Sequence, residues 1–163
     1  MKKQLIIAVI VIVFVIIYWE IKSQTFNTQR LNSDAQLDNT SSSSREGLSS
    51  LAIDVMFHSG TERPFSSQLL NEHRKGIFVS ADTGLPLFRS EDKFDSGTGW
   101  PSFTQAISVN NIVLHQDDSF GYSRVSVATK DSGAHLGHVF DDGPLPLGKR
   151  WCINGVALRF VPD

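Results

Sequence analysis

The sequence contains one long apolar segment, fifteen consecutive apolar or aromatic residues at positions 5–19, and no later segment is comparable. Lys2 and Lys3 precede this segment, and Glu20 and Lys22 follow it. At about 1.5 Å per residue a helix of this length spans roughly 25 Å, slightly less than the ~30 Å hydrocarbon core of a bilayer. We therefore expect residues 1–22 to form a transmembrane signal-anchor.

The paired lysines predict the orientation of this anchor. Positive residues favour the cytoplasmic side, so the N-terminus is expected in the cytoplasm and the rest of the chain in the periplasm or another extracytoplasmic space. The alternative is a cleaved signal peptide, which would require small residues after the apolar segment. Tyr18 and Trp19 lie there instead, as in an interfacial aromatic belt, which favours the single-pass membrane protein.

Residues 23–50 have the composition of a flexible linker. They include eight Ser, three Thr, three Asn and three Gln. Such a segment cannot bury enough apolar area to fold by itself. We expect it to act as a tether between the anchor and a domain at residues 51–163.

The pattern of this domain predicts short strands and little helix. β-branched and aromatic segments alternate with clusters of Gly, Pro, Asp and Ser, which favours antiparallel sheets over a βαβ arrangement. Residues 61–74 are expected to hold one or two helical turns, capped by Ser66 or Ser67. The predicted strands are residues 77–79, 112–115, 122–129, 135–140 and 149–161. The fold class is therefore mainly β, with small helices near the start of the domain.

Composition and charge narrow the possible functions. A chain of 163 residues accommodates one domain with an extension. Residues 23–163 carry 12 Lys and Arg against 16 Asp and Glu, a net charge of −4, so a nucleic-acid partner is not expected. The single cysteine excludes an internal disulfide and a four-thiolate metal site.

That cysteine, Cys152, lies in a segment where strand periodicity would place Arg150, Cys152 and Asn154 on one face. A thiol beside a guanidinium can become a nucleophile. Two other interpretations remain open. Cys152 could be a small buried hydrophobic residue, or Asn154 and Gly155 could form a hairpin turn that leaves Cys152 at a strand end.

His135 and His138 would point to opposite faces of a regular strand. Gly137 lies between them and can host a β-bulge, which would return both imidazoles to the same side. As proton donors they need no third partner, whereas two histidines alone indicate a metal site only weakly. Structural histidines, on the surface or in the core, are the other interpretation.

A glycine-rich segment at residues 97–103 carries Trp100. A tryptophan held on such a loop could form the wall of a pocket for a methyl group, and a core tryptophan beside a turn is the alternative.

Six blocks of this sequence together resemble the B-type methionine-R-sulfoxide reductases. The resemblance covers residues 51–163, and its blocks occur in the order seen in that family. They are Gly60-Thr61-Glu62-Arg63-Pro64-Phe65, Gly76-Ile77-Phe78-Val79, Pro86-Leu87-Phe88, Lys93-Phe94-Asp95-Ser96-Gly97-Thr98-Gly99-Trp100-Pro101-Ser102-Phe103, His135-Leu136-Gly137-His138-Val139-Phe140-Asp141-Asp142-Gly143-Pro144 and Arg150-Trp151-Cys152-Ile153-Asn154.

The resemblance implies two antiparallel sheets, the β-tent fold, and reduction of the R epimer of methionine sulfoxide in proteins or peptides. Cys152 would be the nucleophile and His135 or His138 the acid. Arg150 would favour the thiolate, and Asn154 would orient groups around it. Trp100, Phe103 and Thr98 would contact the substrate. The product at Cys152 would be a sulfenic acid, which a thioredoxin-like or small-thiol reductant would regenerate. No cofactor is expected, and the domain is expected to be monomeric.

The chain also departs from the family pattern. Many members bind zinc through two Cys-x-x-Cys pairs, and the corresponding residues here are Ser80, Thr83, Thr129 and Ser132. No metal is therefore expected. Other members carry a resolving cysteine at the position of Thr98. A thiol hydrolase and a catalytically silent module that binds oxidised proteins are the alternative functions.

Overall fold

The computed structural model describes residues 18–22, 24–25, 45–119 and 121–163. The chain divides into two units, Met1–Ser43 and Ser44–Asp163. In the first unit, residues 18–22 and 24–25 are helical. Residues 1–17 of the predicted anchor lie outside the described residues. Among the residues that are described, no helix is long and apolar enough to cross a bilayer.

An α-helix, α1, opens the second unit and spans Ser50–His58. Ser49 caps it, because its Oγ accepts a hydrogen bond from the N–H of Ala52 at 3.1 Å. The helix buries Ala52, Val55 and Met56, and Leu48 packs against the same core. The folded unit thus begins before the linker boundary predicted at residue 50, since a serine of the polar segment serves as a helix cap.

Nine strands follow in the described part of the second unit. In chain order they are β1 (Gly76–Ser80), β2 (Pro86–Arg89), β3 (Lys93–Phe94), β4 (Ser102–Phe103), β5 (Ile112–Asp117), β6 (Arg124–Thr129), β7 (His135–Phe140), β8 (Arg150–Ile153) and β9 (Leu158–Pro162). They form a three-stranded sheet, β2-β1-β9, and a six-stranded sheet, β3-β4-β8-β7-β6-β5. All the recorded pairings are antiparallel, which confirms the predicted mainly β fold with two antiparallel sheets.

The predicted segment at residues 149–161 is divided between the two sheets. β8 ends at Ile153, a 3₁₀ turn occupies Gly155–Ala157, and β9 joins the other sheet. Asn154 and Gly155 therefore connect the two sheets and do not form the tight turn of a hairpin. A second 3₁₀ turn, Gln68–Asn71, confirms the predicted helical turn, and Ser67 caps it.

The hydrophobic core is built from both sheets and α1. Phe78 of β1, Phe88 of β2 and Phe103 of β4 are fully buried, and the Phe88 and Phe103 rings stack with centroids 4.4 Å apart. Each such ring contributes about 1.5–3 kcal/mol of burial free energy. The family resemblance predicts Phe103 at the substrate. Its complete burial in the core instead does not support a direct contact with substrate.

Candidate active site

Cys152 occupies the penultimate position of β8, which lies between β4 and β7 in the six-stranded sheet. It is directly paired with Ser102 of β4 and with His138 of β7. Directly paired residues of antiparallel strands project their side chains from the same face. The sheet therefore places the imidazole of His138 beside the thiol of Cys152.

A small cleft of about 120 Å³ contains this thiol, and we call it the thiol cleft. Its lining residues are Thr61, Trp100, Arg124, Gly137, His138, Phe140, Cys152 and Asn154. Cys152 is a free, partly buried cysteine. The structure thus brings together four of the residues selected from the sequence: Trp100, His138, Cys152 and Asn154.

The alternation along β8 is the one that strand periodicity predicts. Trp151 and Ile153 pack into the core, whereas Cys152 faces the cleft. The guanidinium of Arg150 interacts electrostatically with Cys152. Hydrogen bonds to Asp142, and to a smaller extent the interaction with Cys152, raise the pKa of Arg150. The cation beside the thiol is therefore present at every accessible pH.

Arg150 is held in place by two residues for which the sequence analysis proposed no role. Asp142 accepts hydrogen bonds from its Nε and Nη2 atoms, both at 2.8 Å, in a bidentate pair. The guanidinium also lies over the ring of Phe140, 4.3 Å from its centroid. These two contacts fix the position of the guanidinium. The hydrogen bonds to Arg150 also lower the pKa of Asp142.

The two histidines lie on the same side of β7, which confirms the predicted bulge. The register with β6 pairs Val127 with Gly137 but Ala128 with His135, so Leu136 is the extra residue. The imidazole centroids of His135 and His138 are consequently 5.5 Å apart. A side chain at Gly137 would collide with the carbonyl oxygen of Cys152, so glycine allows β7 to approach β8 closely at this point.

His135 and His138 have different environments. His135 is buried, and its Nδ1 lies 3.2 Å from Ser126 Oγ. Burial, together with the neighbouring charge of His138, lowers the pKa of His135 from 6.5 to about 4. His135 is therefore neutral at pH 7. His138 lines the thiol cleft, whereas His135 lines an adjacent groove that His138 also borders.

His138 is held by Asp117 at the end of β5, a residue that the sequence analysis missed. His138 Nε2 lies 2.7 Å from Asp117 Oδ2, and Arg124 donates to the same oxygen at 2.6 Å. Hydrogen bonds from Ser119, then His138, keep the pKa of Asp117 well below its usual range. Asp117 thus presents a permanent negative charge to the imidazole.

Trp100 is fixed by Glu62, a second residue that the sequence analysis did not select. The indole Nε1 donates to the carbonyl oxygen of Glu62 at 3.2 Å. The carboxylate of Glu62 is buried and accepts hydrogen bonds from the backbone N–H groups of Gly155 and Val156, the latter at 3.2 Å. Burial raises the pKa of Glu62, and the two backbone bonds oppose this effect. Glu62 therefore links the indole of Trp100 to the segment that follows β8.

Asn154 was expected to orient groups around the thiolate, and its polar atoms are instead bonded to the backbone. Its Oδ1 accepts from the N–H of Glu62 at 3.0 Å, and its Nδ2 donates to the carbonyl of Leu136 at 3.0 Å. Asn154 thus joins the Glu62 loop to the β7 bulge while its side chain lines the cleft.

Thr98 is brought to the thiol, with 3.8 Å between its Oγ1 and Cys152 Sγ.

A comparison with protein families identifies the domain. The family model of the SelR domain matches residues 48–162. The chain belongs to the SelR family. A relative in this family is the Methanosarcina mazei "Peptide methionine sulfoxide reductase MsrB", 50% identical over 109 residues that cover 67% of this chain and 78% of the relative. The Methanosarcina barkeri protein of the same name is also 50% identical over 109 residues, covering 67% of this chain and 77% of the relative.

A third SelR-family relative is longer. The Vibrio cholerae "Peptide methionine sulfoxide reductase MsrA/MsrB" is 48% identical over 118 residues, which cover 72% of this chain but only 31% of that protein. Together these relatives identify the chain as a B-type member of the family, as the sequence blocks indicated.

The four positions at which the family resemblance would place zinc ligands carry hydroxyl groups here, and they cluster around Asp82. We call Ser80, Asp82, Thr83, Thr129 and Ser132 the hydroxyl cluster. Asp82 accepts hydrogen bonds from Ser80 Oγ, from Ser132 Oγ at 2.5 Å and from the N–H of Thr83 at 2.8 Å. Thr129 Oγ1 lies 2.8 Å from Ser132 Oγ. Structural zinc sites use thiolates and imidazoles, so this donor set does not fit zinc. The cluster itself links the turn after β1 to the turn after β6.

Proposed function

We propose that this protein reduces the R epimer of methionine sulfoxide in peptides or proteins, with Cys152 as the nucleophile. The observation that carries this proposal is that Cys152, His138 and Trp100 line the same small cleft. A sulfoxide becomes a good electrophile when its oxygen is protonated, so the reaction requires a thiolate and an acid together. Membership of the SelR family supports the choice of methionine sulfoxide as substrate.

In the proposed reaction the Cys152 thiolate attacks the sulfoxide sulfur while a proton is transferred to the sulfoxide oxygen. The attack forms a bond between the two sulfur atoms. The protonated oxygen then moves from the methionine sulfur to the cysteine sulfur as the sulfur–sulfur bond breaks. The products are methionine and a Cys152 sulfenic acid. The methionine sulfur is thereby reduced by two electrons, and the cysteine sulfur is oxidised by two.

We assign the acid to His138. This side chain lines the thiol cleft and lies opposite Cys152. The carboxylate of Asp117 lies 2.7 Å from His138 Nε2 and orients the imidazole. The lowered pKa of His135 leaves it unprotonated at neutral pH, so it is unsuited to donate a proton there. His135 instead orders the β7 bulge through Ser126.

Arg150 and Trp100 complete the proposed site. The guanidinium of Arg150, fixed by Asp142, places a positive charge beside Cys152. The indole of Trp100, fixed by Glu62, provides a flat apolar wall for the S-methyl group. The Thr98 hydroxyl adds a polar contact at the thiol.

Regeneration requires an external thiol, because Cys152 is the only cysteine in the sequence. The sulfenic acid would condense with a first thiol to form a mixed disulfide and water, and a second thiol would then release Cys152. A thioredoxin-like dithiol supplies both thiols, and two molecules of a small thiol would do the same.

We further propose that residues 1–22 anchor the protein in a membrane with the reductase domain outside the cytoplasm. The apolar segment and the two preceding lysines support this topology. Protease added outside cells whose outer barrier has been permeabilised should digest the domain. Complete protection, with digestion only after lysis, would reverse the proposed orientation.

The test of the proposed activity uses the full chain purified in detergent. It is assayed on the separate R and S epimers of N-acetylmethionine sulfoxide methylamide, with dithiothreitol as reductant. We expect turnover of the R epimer and none of the S epimer, and no turnover by Cys152→Ser. Peptide or ester hydrolysis without sulfoxide reduction would indicate the thiol hydrolase, and saturable binding of an oxidised peptide without turnover would indicate the silent binding module.

A further inference from the structure

A second cavity lies beside the thiol cleft and shares Trp100 with it. This cavity has a volume of about 420 Å³, and its apolar lining consists of Phe65, Leu70, Phe94, Trp100 and Pro101. We call it the aromatic pocket. The reaction proposed above uses none of these residues except Trp100. The indole of Trp100 therefore lines both the thiol cleft and a larger cavity. The polar and charged residues that also line this cavity are Asn71, Glu72, His73, Ser90, Lys93 and Asp95.

The two cavities differ in what they can hold. The thiol cleft, at about 120 Å³, accommodates the methylsulfinyl end of one side chain. Ligand pockets commonly have volumes of about 300–1,000 Å³, and the aromatic pocket falls within this range. The rest of a peptide substrate must lie outside the cleft. The aromatic pocket shares Trp100 with the cleft, and the groove lined by His135 also adjoins the cleft. Of the two, only the aromatic pocket presents Phe and Trp rings.

We propose that the aromatic pocket binds an aromatic side chain of the peptide substrate, two residues away from the methionine sulfoxide. This inference rests on the proposed function. In an extended peptide, side chains two residues apart lie on the same face, about 6.6 Å along the chain. An indole ring between two such side chains would contact both of them. The site therefore selects peptides and unfolded segments with an aromatic residue at this spacing.

The wall formed by Phe65 is preformed. Phe65 is 71% exposed. Its backbone adopts the left-handed conformation, with φ of 63°. The conformation is held by a hydrogen bond of 2.7 Å from the N–H of Phe65 to the carbonyl of Gly99. A Cβ at Gly99 would lie 2.7 Å from Pro64 Cβ and 2.9 Å from the nitrogen of Phe65, so only glycine permits this approach. The fixed backbone of Phe65 reduces the entropic cost of ordering this segment on binding.

The charged groups of the pocket favour a neutral side chain. Lys93 Nζ donates to the carbonyl of Leu70 at 2.7 Å, and Glu72 forms an ion pair of 2.6 Å with Arg74. Asp95 accepts a hydrogen bond from the N–H of Gly97 at 2.9 Å. These partners reduce what the same groups can offer a charged side chain, whereas an apolar ring gains free energy by burial against Phe65 and Trp100. Phe and Tyr are the best candidates, and Lys or Glu at the same position should bind no better than Ala.

The experiment compares acetylated peptide amides that contain the R sulfoxide and carry Phe, Ala or Lys two residues before or after it. Gly fills the intervening position. We expect Phe to raise kcat/KM about tenfold over Ala in one of the two placements, and Lys not to raise it. Phe65→Ala should remove most of this preference while leaving turnover of N-acetylmethionine-R-sulfoxide methylamide unchanged. Val109→Ala, which removes another exposed side chain, is the control and should keep the preference.

The outcomes separate this inference from the proposed function. Equal kcat/KM for the Phe and Ala peptides in both placements would overturn the inference while the activity on the small substrate stands. A preference for Phe that persists in Phe65→Ala would also overturn it. Failure of the wild-type chain to reduce even the small R sulfoxide would overturn the proposed function itself, and the inference with it.

Discussion

The carboxylate of Asp117 lies 2.7 Å from the imidazole of His138, and it joins the end of β5 to the strand that faces the thiol. This contact distinguishes the two histidines of the site. His138 has an anionic partner and borders the thiol cleft, whereas His135 is buried next to a serine hydroxyl. The assignment of the acid to His138 follows from this difference.

His138→Ala should lower kcat for the R sulfoxide by about 10²-fold or more, because general acid catalysis contributes factors of this size. Asp117→Asn should act in the same direction but more weakly, since it leaves the imidazole in place and replaces only the carboxylate that orients it. The measurement is kcat and KM from pH 5 to 9 for both variants. His135→Ala serves as the comparison, and a larger loss of kcat for it than for His138→Ala would reverse the assignment.

His135 should make the stability of the fold depend on pH. The unfolded chain protonates this imidazole near its ordinary pKa of 6.5, whereas burial lowers the pKa in the folded protein to about 4. The unfolded state therefore binds more protons between these values, and the free energy of unfolding falls as the pH is lowered from about 6.5 towards 4.

His135→Gln removes this titration. The decrease in Tm between pH 7 and pH 4.5 should be smaller for this variant than for the wild type. The exposed His73 provides the matched control, because His73→Gln leaves the buried imidazole unchanged. Identical pH dependence of Tm in the wild type and His135→Gln would contradict the burial of an unprotonated His135.

Glu62 should matter both for stability and for substrate binding. Glu62→Ala leaves the buried N–H group of Gly155 and that of Val156 without their acceptor, which should cost about 2 kcal/mol or more in the free energy of unfolding. It also loosens the segment that holds the indole of Trp100, so KM should rise. Denaturant unfolding and steady-state kinetics measure the two effects. Glu91→Ala, at an exposed site, should change stability by less than about 0.5 kcal/mol.

The hydroxyl cluster should stabilise the fold without a metal. Asp82→Ala removes the acceptor shared by Ser80, Ser132 and the backbone of Thr83, and should lower the free energy of unfolding by about 1–3 kcal/mol. A metal chelator should leave the Tm of the wild type unchanged. A fall in Tm on chelation, reversed by added zinc, would contradict this account, and Asp163→Ala at the exposed chain end is the control for the substitution.

Sequence patterns predicted the strands that lie in clear β-branched or aromatic segments. β7 spans the predicted residues 135–140, and the two faces of β8 are as periodicity indicates. Helix α1 was missed although Ala52, Val55 and Met56 have helical spacing. Leu51 and Ile53 add apolar residues outside this stripe, and the serine-rich segment before the helix hid its cap. β2, β3 and β4 are two to four residues long, too short for a periodic pattern to be detected.

The site was predictable where its residues lie in compact motifs, and less so where the fold brings distant residues together. Cys152, His138 and Trp100 were selected from their local sequence and from the family resemblance. Glu62 contacts Asn154 across 92 positions, and Asp117 reaches His138 across 21, so local spacing could not reveal them. Phe103 was misplaced because one aromatic residue in a glycine-rich segment can face the core or the cleft, and β4 turns it towards the core.

The central claim is that a single thiol, Cys152, takes the oxygen from methionine sulfoxide, and a single-turnover experiment tests it most directly. The full chain in detergent, fully reduced and then freed of reductant, is mixed with excess N-acetylmethionine-R-sulfoxide methylamide. Methionine product is counted per chain, and Cys152 is analysed by mass spectrometry after dimedone treatment. The account predicts one product per chain, a dimedone adduct on Cys152 and no product from Cys152→Ser. Product formation by Cys152→Ser, or turnover by the wild type that leaves Cys152 unoxidised, would contradict it.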